Sequence, residues 1–197
     1  RMNRWLLALP LAVFGVVGIA LYALFMTHAD EASFRDNLLP ELIGFCLEGF
    51  FLVGLFTLVQ KLRENHHRRE LKLSLRSALR DFLSHLDLAF LEPDAEPAKT
   101  HDLESEPRVV LRLMKSMEEM ELDADSMLAL KRTAIYTLPL AHDLINIAAQ
   151  LSAGHMRWWV DIVESIKQLA EAESREAVER PVYSLLVGLS EFDALKV

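Results

Sequence analysis

Two glutamates, Glu41 and Glu48, stand seven residues apart in an otherwise apolar run, with Gly44 between them. Seven residues are two helical turns, so both carboxylates fall on one helix face. The run extends from Leu38 to Gln60, long enough for a membrane span. At 1.5 Å per residue Glu48 lies about 10 Å deeper than Glu41, near the bilayer middle. Glu41 stays near the outer interface, where water reaches it. A charged side chain at depth costs about 2.5–3.5 kcal/mol on an insertion scale, so Glu48 is expected not to face lipid. Two chemistries follow. A protonated carboxyl can hydrogen-bond a neighbouring helix. Alternatively, a ring of Glu48 side chains, one per subunit, can line a cation pore. Two helices cannot enclose a pore, so the second reading requires a homo-oligomer.

A second cluster is cationic. Arg108, Arg112 and Lys115 follow i, i+4, i+7 spacing, with Lys131 and Arg132 further along the chain. Such a stripe suits a phosphorylated small molecule, because guanidinium groups bind phosphate through two hydrogen bonds. The same stripe is equally a solvated face pairing with Glu104, Glu118 or Glu119. Other reactive side chains carry less. His66 and His67 are adjacent, so on a helix they point about 100° apart and chelate poorly. His101, His142 and His155 lack partners at metal-ligand spacing. Cys46 is the single cysteine, inside the apolar run, and reads as a packing residue. Trp158 and Trp159 read as core or interface residues. No P-loop, Rossmann glycine pattern, HExxH or nucleophile elbow occurs. The expectation is a non-enzyme with no cofactor and no metal.

The elements that position these residues start with the membrane segment. Apolar residues make up 52% of 197, concentrated in two blocks within the first sixty. The first block, Trp5 to Thr27, is uncharged and as a helix spans about 34 Å, enough for a hydrocarbon core. It exceeds the apolar core of a signal peptide, and the residues after His28 make a poor cleavage site, so a retained helix is expected. Trp5 suits an interface, Pro10 a kink, and Ala8, Ala12 and Gly15 a small-residue packing face. The polar link His28 to Asn37 closes a transmembrane hairpin over 1–60, with helices at about 5–27 and 38–60.

Basic residues orient it. The link holds one, Arg35, whereas Lys61, Arg63, Arg68, Arg69, Lys72, Arg76 and Arg80 follow the second block, and Arg1 and Arg4 flank the first. The positive-inside rule places both termini in the cytoplasm and the short link outside. Lys61, Arg63, Arg68 and Arg69 are expected to meet lipid headgroups.

Beyond the hairpin the chain reads as all-α. With no Gly or Pro between Lys61 and Glu92, the spacing predicts a basic juxtamembrane helix over 61–91, continuous with the second span and able to transmit a rotation or tilt. Residues 92–107, with Pro93, Pro97 and Pro107, read as a linker. Residues 108–197 read as a cytosolic helical domain packing with 71–91. Its helices are expected over 108–122, from an Asp123 or Asp125 cap to 152 with a kink or division at Pro139, over 155–178, and after Pro181 in a first-turn position. Residues 81–197 hold 22 acidic and 11 basic residues, which argues against general DNA or RNA binding.

A two-helix hairpin, a basic collar after Glu41-Leu42-Ile43-Gly44 and a small helical cytosolic domain resemble bacterial two-transmembrane effectors of antiviral defence systems. The resemblance covers the architecture of the whole chain and rests on no specific motif. It implies gating by a nucleotide signal and damage to the inner membrane, and it assigns no binding residue. Two functions are therefore weighed. One is an oligomeric membrane effector, channel-like, whose helical domain senses a phosphorylated messenger or a partner protein. The other is a non-enzymatic membrane-anchored scaffold binding a cytosolic protein, suggested by the apolar helices, the acidic surface and the missing chemistry.

Overall fold

A computed structural model describes residues 4–27, 39–91 and 96–196. The link around Arg35, Pro93, and the side chains of Trp5, Ala8 and Pro10 lie outside the described residues. Those residues are helical throughout, without a strand. They divide into two compact units, 1–66 and 67–197.

The first unit contains α1 (Arg4–Thr27) and the beginning of α2 (Leu39–Ser77). α1 runs as one helix through Pro10. The two helices meet through small residues. A Cβ on Gly49 would stand 2.5 Å from the Phe14 ring, and one on Gly18 would be 3.9 Å from the Cys46 Cβ. Cys46 is buried there. The rest of the pair is apolar and uncovered: Phe45, Phe51, Leu52 and Phe56 are all exposed. One described helix, α2, is long and apolar enough to cross a bilayer, and only 6% of its apolar window is buried. The apolar stretch described in α1, Ala12–Ala23, is shorter. A helix that is apolar all round and not buried suits a hydrocarbon solvent better than water.

The second unit is a bundle. It takes in the last turns of α2, then α3 (Arg80–Ala89), α4 (Thr100–Ser105), α5 (Pro107–Glu119), α6 (Ala124–Asp143), α7 (Ile145–Leu151), α8 (Ala153–Glu171) and α9 (Arg175–Ala194). α8 packs against α9, α6 and α7, while α9 also packs against α5, and α3 against α6 and α4. Trp159, Phe192, Phe82, Leu75, Leu86 and Ile162 are fully buried in one core. Gly188 permits the α8–α9 approach, since a Cβ there would be 3.1 Å from Ile162 Cγ1. The Trp159 indole donates to the Ala141 carbonyl at 2.8 Å, which satisfies its buried N–H.

Several predicted boundaries move. The helix predicted over 61–91 breaks after Ser77, although no Gly or Pro stands there. Leu79 N–H donates to the Arg76 carbonyl, a tighter turn, and Ser77 Oγ donates back to Ser74. The break lets Leu75 and Leu79 enter the same core as Phe82, Leu83 and Leu86. The predicted linker 92–107 contains α4, pinned by buried Leu103. Pro139 does not divide its helix; the break comes at Leu144. The carbonyl it strands belongs to Ile135, on the exposed side of the helix. The helix predicted over 155–178 ends at Glu171, because Ser174 caps a new one by accepting from Ala177 N–H. Pro181 consequently lies inside α9 and not in its first turn. Asp123 makes the cap expected of it, accepting from Ser126 N–H at 2.9 Å.

Candidate functional site

Glu41 and Glu48 line one open groove of about 830 Å³ between α1 and α2, with Val13, Phe14, Val17 and Gly44. Both glutamates are exposed. α1 therefore does not cover Glu48. Within one copy its carboxylate has no hydrogen-bond or ion-pair partner among the described residues. The groove exists because Gly49 admits the Phe14 ring, which seats α1 against the flank of α2 bearing Cys46.

Of the five cations proposed for an anionic ligand, four have partners of their own. Arg112 Nη2 pairs with buried Asp87 at 2.5 Å, and the same carboxylate accepts from Ala98 N–H at 2.6 Å. Lys115 pairs with Glu119 at 3.5 Å, and Arg108 lies 3.6 Å from Glu106. Lys131 Nζ donates to the Ala172 carbonyl, at the C-terminus of α8, at 2.6 Å. Arg132 is exposed, with no ion pair among the described residues.

The basic stretch after the apolar run also divides. Lys61, Arg63 and Arg69 are exposed. Arg68, Lys72 and Arg76, spaced by four, turn one face of α2 onto the bundle instead. Arg68 donates to the Leu151 carbonyl at 3.2 Å, at the end of α7. Lys72 donates to the Asp193 and Leu195 carbonyls at 2.9 and 2.8 Å, at the end of α9. Arg76 forms a buried ion pair with Asp193 and donates to the Leu103 and Glu106 carbonyls. Burial lowers the Arg76 pKa to about 10, so it remains charged at neutral pH. Helix C-termini carry unsatisfied carbonyls and partial negative charge, which is why cations dock there. Sequence reading assigned Arg68 to lipid and overlooked this clasp; its one visible signal was the i, i+4, i+8 spacing.

His155 sits behind the clasp, 1% exposed. Its Nδ1 lies 2.8 Å from Ser152 Oγ, and its ring meets Phe192 edge-on at 5.0 Å. Nε2 is buried without a partner. Burial, reinforced by Lys72 and Arg68, lowers its pKa and keeps it neutral. His101 contacts Ser105, and His142 lies 4.0 Å from Asp143. Among the described residues no three His, Cys, Asp or Glu side chains gather as metal ligands.

Comparison with protein-family models, curated proteins and solved structures finds no match to this chain.

Proposed function

We propose that the chain is an oligomeric membrane effector. In this reading α1 and the apolar part of α2 form a two-pass hairpin in a bacterial inner membrane with both termini cytoplasmic. Glu48 carboxylates from several copies line a path for cations. The observation that carries the reading is that Glu48 is left uncovered on its own hairpin, in the groove that also holds Glu41. A carboxylate at bilayer depth is stable only against water, a cation or a polar partner, and further copies can supply such a setting. The helical domain is the sensing part. Its trigger is a partner protein or a phosphorylated small molecule, as in the antiviral effectors the architecture resembles. The clasp formed by Arg68, Lys72 and Arg76 is where a signal would reach α2, since the helix is unbroken from Leu39 to Ser77.

Cation flux through liposomes holding the full chain tests the proposal. Glu48→Gln and Glu48→Leu should each lower flux about tenfold, as expected for loss of a charged ring. Flux equal in both variants and the unaltered protein would sink it.

A further inference from the structure

α6 is apolar on two faces. Leu130, Ala134, Thr137 and Ala141 are buried in the bundle. On the opposite side Leu128, Ile135, Tyr136 and Leu140 are 49%, 51%, 82% and 50% exposed. At 100° per residue these four share one broad face with Arg132, Pro139 and Asp143. Isolated exposed apolar residues are ordinary, but four along one helix face form a patch of the kind that marks an interaction surface.

The charges on that face indicate its occupant. Arg132 has no ion pair among the described residues, and Asp143 has only His142 Nδ1, at 4.0 Å. Lay two copies of α6 antiparallel about a twofold axis midway between Thr137 and Leu138. Tyr136 then opposes Pro139 and Arg132 opposes Asp143, each pair occurring twice, with Ile135 and Leu140 on the flanks of the contact. The remaining ionisable residues raise no conflict. Lys131 and His142 fall opposite Leu144 and Thr133, and Asp125 falls past the end of the partner's α6. A single axis thus matches apolar to apolar and cation to anion, the self-complementarity a twofold interface requires. We infer that α6 is a homodimer contact, formed by antiparallel packing of this face against the same face of a second copy, with reciprocal Arg132–Asp143 ion pairs.

One helix pair buries less than the roughly 1,200–2,000 Å² of a stable soluble complex. Confinement in a membrane raises effective concentration enough for a smaller contact to persist. In that respect the inference rests on the membrane reading above.

Disulfide trapping in native membranes tests it with the full chain. In a Cys46→Ser background, Tyr136→Cys lies near the proposed axis, and mild oxidation should give a covalent dimer. Tyr183→Cys, on α9, should not. Adding Arg132→Asp or Asp143→Arg should each lower the trapped fraction about fivefold, since two attractive pairs become repulsive. Combining both reversals in one chain, or mixing the two single-reversal chains, should restore it. No trapping through Tyr136→Cys, or trapping indifferent to charge reversal, overturns the inference. Glu48-dependent cation flux measured on the same membranes separates the two ideas. Flux without trapping overturns the α6 contact alone, and trapping without flux overturns the pore reading alone.

Discussion

At the scale of single residues, charge placement explains more than charge count. Composition suggested that the cations serve external anions, either lipid headgroups or a phosphate. Arg68, Lys72 and Lys131 instead cap the C-termini of α7, α9 and α8. Lys131→Met should therefore lower stability by about 1–2 kcal/mol, measurable by urea unfolding, and not merely alter the surface. Asp87 is a stronger case, because one buried carboxylate holds both Arg112 and the Ala98 amide. Asp87→Ala should cost about 1–3 kcal/mol, chiefly by leaving the Ala98 amide without its acceptor, since the Arg112 side chain is 56% exposed. A variant within 1 kcal/mol of the unaltered protein would show that the pair contributes little, about what an exposed ion pair gives. His155 provides a pH test. Its pKa in the folded state lies below the ordinary 6.5, so between those values the unfolded chain binds more protons. Its contribution is complete above about pH 6.5 and is lost as pH falls towards the lowered value. Melting temperature should thus drop less between pH 7 and 5 in His155→Gln than in the unaltered chain. Equal drops would remove His155 as the cause.

At the scale of elements, the clasp and the glycine contacts carry the argument. Arg76 meets Asp193 and two carbonyls from the segment around α4, so it ties α2 to both α9 and that segment. Arg76→Ala should be among the most destabilising changes in the bundle, by about 3–5 kcal/mol. Pairing it with Asp193→Leu should recover only part of the loss, because the Leu103 and Glu106 carbonyls stay unpaired. In the first unit Gly49 sets how closely α1 approaches α2. Gly49→Leu should push the Phe14 ring aside and open the groove beside Glu48. Faster alkylation of buried Cys46 by a thiol reagent in micelles would report that opening, and an unchanged rate would argue against it. Helix periodicity was legible in the sequence, and it placed helices where α3, α5 and α8 lie. Helix ends were less so. The break after Ser77 has no Gly or Pro, and both Pro139 and Pro181 sit inside helices, because core packing outweighs local preference at these places.

At the scale of the whole molecule, two units of different surface character share one helix. The helices of the first expose apolar residues on nearly every side, while the second buries a continuous core. Such an arrangement predicts that the full chain partitions into detergent or membrane and resists extraction by high salt or alkaline carbonate. Release by salt alone would limit its membrane association to the basic residues after Gln60. The proposed Glu48-lined path and the proposed α6 contact both require assembly. Detergent-corrected light scattering on the purified full chain should give a mass of at least two copies, and a monomer would contradict the pore reading.

Sequence by itself determined the all-α class, the apolar runs and the shared face of Glu41 and Glu48, because period and composition are local properties of a chain. Only tertiary structure decided which charges remain available. Arg68, Arg112 and Lys131 look alike in sequence to Lys61 and Arg132, yet the first three are committed to carbonyls or a carboxylate from segments distant along the chain. The exposure of Glu48 was decided in the same way, since it depends on where α1 lies against α2, and the docking of the Phe14 ring at Gly49 fixes that position.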